Sequence, residues 1–189
     1  MSVISEIVGR VLKVRAMLPS DLPRLLQIEN AGAGTRFLRK DLPANLFSTD
    51  RGIWVATIQN HVVGYLVYQL TPETEASESE LQVGPPKGPW GRRVTSLPPL
   101  QVELIHLFVS PDWRRRGIGR ALITRFDPRL SKDEPCVIQA MVPETNLPVQ
   151  LLLRSAGYKA ARVSRRYFVE EDAYVMECRH GELTPARVE

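Results

Sequence analysis

Cysteine and histidine are scarce in this sequence of 189 residues, which contains two cysteines and three histidines. Cys136 and Cys178 each lie in an apolar run with strand-like composition, so we expect buried, reduced thiols rather than a disulfide or a metal-binding pair. The three histidines are scattered without the spacing of a zinc site. We therefore predict no metal.

Long apolar runs are also missing. No run reaches the roughly 18 residues that cross a bilayer, and the N-terminus lacks a secretory signal pattern, so we expect a cytoplasmic protein with no membrane partner. The hydrophobic share of 43% and the charged share of 24% fit one domain, which we place at residues 1–180 with a tail at 181–189. Monomer and homodimer both remain open.

The net charge of +4 is mildly basic. No basic repeat interleaved with aromatic residues is present, so we do not expect a nucleic-acid partner. A protein that binds a polyphosphate cofactor has a similar charge balance.

The most informative stretch is VELIHLFVSPDWRRRGIGRALITRF at residues 102–126. An apolar strand over Leu104–Val109 is stopped by Pro111, and an amphipathic helix begins near Gly117 and Gly119. The first N–H groups of a helix have no partner within it and bind anions, and glycine lets a phosphate approach the backbone. Four arginines add positive charge: Arg114, Arg115, Arg116 and Arg120. We predict a phosphate-binding turn.

Two common nucleotide-binding motifs do not fit this stretch. A dinucleotide-binding motif requires a third glycine where Leu122 stands, and a Walker loop requires Gly-Lys-Ser/Thr, which is absent. A tight strand-to-helix turn followed by solvated arginines stays open as a purely structural interpretation.

Residues 114–119, Arg-Arg-Arg-Gly-Ile-Gly, resemble the Arg/Gln-x-x-Gly-x-Gly/Ala signature of the GNAT superfamily of N-acetyltransferases. Asn146-Leu147-Pro148 followed by LLLRSAGY resembles the second motif of that family. The closing RRYF…EEDAYVMEC pattern resembles the ribosomal-protein-alanine (RimI-type) sub-family, and the whole resemblance covers about residues 11–180. It implies an α/β fold with a central mixed, mostly antiparallel sheet and flanking helices.

The resemblance implies acetyl-CoA as the cofactor. The pyrophosphate is then expected on the N–H groups of Arg115 to Arg120, which include Ile118. The pantetheine arm is expected to pair with the backbone of Leu107, Phe108 and Val109, which requires the fourth and fifth strands to separate. Asn146 is expected to hold the arm from the other side, although a helix N-cap explains it equally well.

The implied reaction is direct attack of a primary amine on the thioester. The acceptor is a protein N-terminal amine, a lysine amine or a small-molecule amine. Glu103 is the candidate base, because it is the acidic residue of the fourth strand and matches the acid that many GNAT enzymes use there. Strict alternation places Glu103 on the face of Ile105, Leu107 and Val109.

Two positions depart from the RimI-type pattern. Met141 stands where that sub-family has a glutamate, and Leu153 stands where it has a tyrosine that protonates the thiolate. Tyr158 and Tyr167 are the alternative acids. These departures keep a second function open, a catalytically weak CoA-binding module that acts as a sensor or scaffold.

Periodicity predicts the remaining elements. Strands are expected at 12–17, 53–59, 62–70, 136–142, 158–169 and 174–179, and helices after Ser20, at 38–47 and at 147–154. Residues 71–100 hold six of the fifteen prolines and form a long connection between the third and fourth strands. We expect either a mobile insertion or a flap that shapes acceptor choice, anchored by Trp90.

Overall fold

The computed structural model describes residues 12–31, 50–71, 100–124, 136–168 and 170–180. The helix predicted at 38–47, most of the proline-rich connection with Trp90, and the tail at 181–189 lie outside the described residues.

A mixed sheet organises the described part of the chain. Its strands are β1 Leu12–Ala16, β2 Arg51–Ile58, β3 His61–Thr71, β4 Leu100–Val109, β5 Cys136–Pro143, β6 Lys159–Ser164 and β7 Ala173–His180. The helices are α1 Leu22–Ala31, α2 Ile118–Thr124 and α3 Leu147–Ser155. The strand order is β1-β2-β3-β4-β5-β7-β6, and β4–β5 is the parallel pair while the others are antiparallel. This confirms the predicted fold class.

The two faces of the sheet bury different side chains. On one face, Leu25 and Ile28 of α1 pack with Val55, Tyr65 and Val67. We call this the α1 face. The opposite face packs against α2 and α3, and we call it the α2/α3 face; its buried side chains include Ile118, Leu122, Ile138, Leu153 and Met176. Alternation along each strand sends successive side chains to opposite faces, so the strands are apolar on both.

Two turns differ from the sequence prediction. The β2–β3 turn falls at Gln59 and Asn60, one residue earlier than expected, and both residues have left-handed φ values of 48° and 66°. Two consecutive left-handed residues suit a two-residue hairpin, because their twist matches that of the flanking strands. Ser20 does not cap α1; a short 3₁₀ turn over Pro19–Asp21 precedes the helix.

The strand predicted at 158–169 is shorter than expected. β6 ends at Ser164, and Arg166 adopts a left-handed φ of 52° that breaks the extended conformation. The N–H of Arg166 donates to the carboxylate of Asp172 at 2.8 Å. This side-chain acceptor stabilises a turn in a segment whose composition favours a strand.

Candidate active site

A gap opens between β4 and β5 halfway along β4. Their parallel pairing runs from Leu100 opposite Cys136 to Leu104 opposite Ala140 and stops there. Beyond this point β4 continues to pair with β3, up to Val109 opposite Gly64. One backbone edge of β4 therefore has no β5 partner. This is the strand separation that a paired pantetheine arm requires.

The backbone groups of β4 alternate between β3 and this gap. The N–H of Ser110 donates to the carbonyl of Val63 on β3 at 2.9 Å. Alternation along the antiparallel ladder then directs Leu107 and Val109 toward the gap and Phe108 toward β3. Two of the three residues predicted to pair with the pantetheine arm thus have suitable backbone direction. Phe108 differs because its polar backbone groups belong to the ladder.

The signature turn has an unusual backbone at its centre. Arg115 has a φ of 60° and Gly117 a φ of 80°. Left-handed residues that alternate with right-handed or extended ones turn successive N–H groups into a concave anion site. The N–H of Ala121 donates to the carbonyl of Gly117 at 2.9 Å and opens the hydrogen-bond ladder of α2. The N–H groups of Ile118, Gly119 and Arg120 come before this first bond and therefore have no acceptor within the helix.

The four arginines of this turn do not behave alike. Arg114 donates from Nε to the carbonyl of Val109 at 3.0 Å, and its guanidinium lies 5.9 Å from the ring centre of Phe108. Arg116 stacks 4.9 Å above the ring of Trp113. Arg115 and Arg120 are exposed, and no side-chain partner is found for either within the described residues. These two have the freest guanidinium groups for a phosphate.

The two glycines of the signature serve different purposes. A Cβ added at Gly117 would meet no atom within 4 Å, so its positive φ is the reason for glycine there. A Cβ added at Gly119 would lie 3.1 Å from Leu152 Cδ2 on α3. Gly119 therefore allows α2 and α3 to approach each other.

Asn146 lies at the far side of the gap, at the start of α3. Its side chain accepts from the N–H of Val149 at 3.4 Å, and Pro148 occupies the first helical turn. The expected N-cap is confirmed. A role of Asn146 in holding a cofactor stays a prediction.

Strict alternation predicts that Glu103 shares a face of the sheet with Leu107 and Val109, but in the structure it lies on the opposite face. The β3–β4 register shifts by one residue between Leu104 and His106, so Ile105 is an extra residue in β4. Such a bulge interrupts the alternation of side chains. Glu103 pairs with Gln69 and faces the α1 side, as Ile105 does, whereas Leu107 and Val109 pack with the α2/α3 side. The predicted shared face with Leu107 and Val109 is wrong.

Glu103 belongs to a polar row on the α1 face. It lies opposite Gln69 on β3 and Gln139 on β5. Gln139 donates to the carboxylate of Glu177 at 3.0 Å, and Arg162 donates to the same oxygen at 3.1 Å. The row crosses the sheet just before the gap begins. A carboxylate on β4 at this point can accept a proton beside the gap.

Of the two tyrosines, only Tyr167 lies near Glu103. Partial burial and the charge of Glu103 raise the pKa of Tyr167, whose side chain is 48% exposed. Its ring meets that of Phe168 edge-to-face, 4.9 Å between centres. Tyr158 is 4% exposed and packs on the α2/α3 face, and burial raises its pKa. Tyr158 is therefore badly placed as an acid.

The two residues that depart from the RimI-type pattern differ in environment. Leu153 is 2% exposed and packs in the core under α3. Met141 is half-buried on β5, opposite Val175 of β7. Neither side chain can exchange a proton.

One buried polar cluster was not predicted from the sequence. Glu29 of α1 is 1% exposed and accepts a hydrogen bond from the hydroxyl of Tyr65. The Tyr65 ring stacks on Phe108, 5.8 Å between centres, and lies 5.6 Å from His106. Desolvation lowers the pKa of His106, and the charge of Glu29 opposes that shift. The available signal was the position of Glu29, four residues after Leu25 on the buried face of α1.

Groups of three or more side chains able to hold a metal ion are absent from the described ranges. None of the helices in those ranges has the length and apolar character needed to cross a bilayer.

Comparison with known proteins gives a consistent result. A profile of the acetyltransferase (GNAT) family matches residues 22–158. The alanine N-acetyltransferase of ribosomal protein bS18 from Escherichia coli is 30% identical over 80 residues, which are 40% of this chain and 54% of that enzyme. The chain thus spans about half the length of the curated relatives it matches.

Solved structures share the fold at low identity. The Escherichia coli ribosomal-protein-alanine N-acetyltransferase superposes with a TM-score of 0.64 at 17% identity, covering 94% of this chain and 99% of that one. Arabidopsis thaliana NAA60 in complex with acetyl-CoA gives a TM-score of 0.64 at 20% identity, covering 89% and 98%. The family profile extends over most of the chain, from the start of α1 to the residue before β6, and this protein belongs to the GNAT acetyltransferase family.

Proposed function

We propose that this protein transfers the acetyl group of acetyl-CoA to a primary amine, and that a protein N-terminal amine is the preferred acceptor. The observation that carries the proposal is the open edge of β4, which ends at the concave main-chain turn of residues 115–120. An extended arm and a diphosphate have complementary partners in that order along the chain. Relatives support the chemistry: one is an alanine N-acetyltransferase of a ribosomal protein, and another binds acetyl-CoA.

The cofactor has two sets of candidate contacts. The N–H groups from Arg115 to Arg120 receive the diphosphate, with Arg115 and Arg120 adding charge. Leu107 and Val109 pair with the pantetheine arm across the gap, and Asn146 approaches it from α3. Arg114 and Phe108 are not among these contacts. Arg114 donates to the carbonyl of Val109, and its guanidinium stacks on the ring of Phe108.

In the reaction the amine nitrogen attacks the thioester carbonyl carbon, a C–N bond forms and the C–S bond breaks. Glu103 takes the proton that the amine loses, and the CoA thiolate leaves. A thiol pKa near 8.5 makes the thiolate a fair leaving group without a strong acid. Tyr167 is the candidate that returns a proton to the sulfur.

An N-terminal amine is favoured over lysine on energetic grounds. An α-amino group has a pKa of about 8, while a lysine amine has one of about 10.4. The difference of roughly 2.4 units corresponds to about 3 kcal/mol of extra work to deprotonate lysine at a fixed pH. A site whose single candidate base is Glu103 suits the more acidic amine. Lysine amines and small-molecule amines are the alternative acceptors, and the same experiment tests them.

A weak or inactive CoA-binding module is the second candidate. Met141 and Leu153 favour it, because neither can carry the proton that the RimI-type sub-family handles at those positions. Leu153 is instead a core residue.

The test is acetyl transfer from radiolabelled acetyl-CoA to hexapeptides that differ only in their first residue. A lysine peptide with a blocked N-terminus, a polyamine and an aminoglycoside complete the panel. Transfer to free N-termini and not to the blocked peptide supports the proposal. Tight CoA binding by calorimetry without transfer to any acceptor favours the binding module. Absence of CoA binding would overturn both.

A further inference from the structure

Two turns lie side by side at the end of the sheet where the gap opens. The first joins β5 to α3 and contains Thr145, next to Asn146. The second joins β6 to β7 and carries Tyr167 and Phe168, which are 48% and 38% exposed. The turns are neighbours because β5 pairs with β7, and the N–H of Glu144 extends that ladder to the carbonyl of Asp172.

Glu171 binds both turns at once. Its Oε1 accepts the N–H of Thr145 at 2.8 Å and also the hydroxyl of Thr145. Its backbone carbonyl accepts the N–H of Phe168 at 3.1 Å. One residue thus fixes the position of Thr145 with its side chain and the position of Phe168 with its main chain.

The two groups that Glu171 holds belong to different halves of the site. Thr145 precedes the N-cap of α3, whose Asn146 is the proposed contact for the pantetheine arm. Phe168 packs edge-to-face against Tyr167, which is close enough to Glu103 for the charge of Glu103 to affect it. A short hydrogen-bonded path through Glu171 therefore connects the cofactor end of the site to the acceptor side.

We infer that Glu171 is a positioning residue that couples cofactor binding to the arrangement of the acceptor-side turn. The inference rests on the proposed function. A carboxylate oxygen that receives two donors from Thr145 holds that residue more firmly than one hydrogen bond would. When CoA occupies the side of Asn146, the link fixes the turn that presents Tyr167. By reciprocity, an acceptor bound at Tyr167 strengthens CoA binding by the same factor as CoA strengthens acceptor binding.

The sequence provides a matched control next to Glu171. Glu170 lies in the same turn, carries the same charge and is exposed, and its backbone N–H donates to the carbonyl of Phe168. Removing its carboxylate changes the charge of the turn and leaves the link intact. Glu171→Gln is the conservative rescue, because an amide oxygen still accepts the two donors of Thr145.

The experiment follows Tyr167 by fluorine NMR in protein labelled with 3-fluorotyrosine, with its resonance assigned by loss in Tyr167→Phe. CoA alone is the added ligand. We expect CoA to shift the Tyr167 resonance equally in the wild type, in Glu170→Ala and in Glu171→Gln. The shift should be clearly smaller in Glu171→Ala, where only the direct effect of the bound CoA sulfur on Tyr167 is left. A shift in Glu171→Ala equal to that of the wild type would overturn the inference, as would an equal loss in Glu170→Ala.

A second readout uses affinity. The CoA dissociation constant is measured with and without the N-acetylated product peptide of the best acceptor, and the wild type is expected to show coupling of about fivefold or more. Glu171→Ala should reduce that factor toward one. If this variant fails to fold, Thr145→Val replaces it, since it removes the hydroxyl donor, and Thr145→Ser serves as its control.

The outcomes separate the two proposals. A wild type that binds CoA and acetylates peptides, yet shows no shift at Tyr167 and no coupling, overturns the role of Glu171 alone. A wild type that binds no CoA overturns the proposed function as well.

Discussion

The hydroxyl of Tyr65 donates a 3.1 Å hydrogen bond to the carboxylate of Glu29 and so joins β3 to α1 in the interior. Glu29 is 1% exposed, which leaves its carboxylate dependent on protein donors. We predict that Tyr65→Phe lowers the free energy of unfolding by about 1–3 kcal/mol, the usual range when a buried acceptor loses a donor. Urea unfolding measures this.

Glu29→Gln is the paired variant. It keeps an acceptor for Tyr65 and removes the buried charge, so we expect a smaller loss of stability than in Tyr65→Phe. Equal losses would show that the hydrogen bond contributes little beyond the charge.

Gly117→Val and Gly119→Val should separate binding from stability. At Gly117 the φ of 80° strains any L-residue by about 1–2 kcal/mol, but the added side chain meets open space. For Gly117→Val we expect at least a tenfold weaker CoA affinity, because the side chain keeps the phosphate away from the backbone, and only a small change in melting temperature. At Gly119 the side chain collides with Leu152, so affinity and melting temperature should both fall. Calorimetry with CoA and thermal unfolding give the two readouts. Unchanged affinity in Gly117→Val would refute the phosphate-binding turn.

Glu103→Gln should reduce turnover most at low pH. Below the pKa of the acceptor amine most of the amine is protonated, and a base in the site then matters most. The expected loss is in the range of about 10²–10⁴-fold, which is typical for a general base. The measurement is kcat/KM for the best peptide from pH 6 to 9.5, with Glu144→Gln as an exposed control. A loss of constant size across that range would remove Glu103 from proton transfer.

Tyr167→Phe and Tyr158→Phe test the two candidate acids against each other. Tyr158 is buried on the α2/α3 face, and its hydroxyl has no hydrogen-bond partner among the described residues. Removing that hydroxyl should leave kcat unchanged and preserve or slightly raise stability. Tyr167→Phe should lower kcat with little effect on CoA affinity. The assignment fails if Tyr158→Phe is the variant that loses activity.

The carboxylate of Asp21 should make the stability of the fold depend on pH in the acidic range. Its carboxylate receives two hydrogen bonds from Arg15, at 2.6 and 2.8 Å, and these lower its pKa, helped by the N–H of Leu18 and opposed by burial. A lowered folded-state pKa contributes stability above the unfolded value of about 3.9, and this is lost as pH falls through the folded value. The wild type should thus exceed Asp21→Asn in melting temperature at pH 7 and lose that advantage progressively as the pH falls below about 3.9, the unfolded-state value, and through the lower folded-state value. A constant difference over this range would contradict the assignment.

Local sequence patterns predicted most of the strands, the signature turn and the cap at Asn146, because each depends on residues that are close in the chain. The mixed sheet that these strands form was implied by the family resemblance. The β4 bulge was not predictable in this way. Ile105 is as apolar as the residues around it, and only the pairing with β3 reveals that it is the extra residue. The error over Glu103 follows directly, since alternation assumes an unbroken ladder.

The arginine run shows a second limit. Three adjacent arginines and Arg120 predicted four phosphate contacts, yet Arg114 donates to the carbonyl of Val109 and Arg116 stacks on Trp113. Which cation is free depends on the path of the turn, and a sequence does not give that path. The link through Glu171 was invisible for the same reason, because Thr145 and Glu171 are 26 positions apart.

The extra residue in β4 also affects how this strand must be aligned with its homologues. In a homologue with an unbroken strand, the position equivalent to Glu103 lies one residue nearer to the glycine turn. An ungapped alignment anchored on the glycines would therefore match Glu103 to a neighbour whose side chain points to the opposite surface. Against such a homologue, the acidic position is compared correctly only when a gap is placed opposite Ile105.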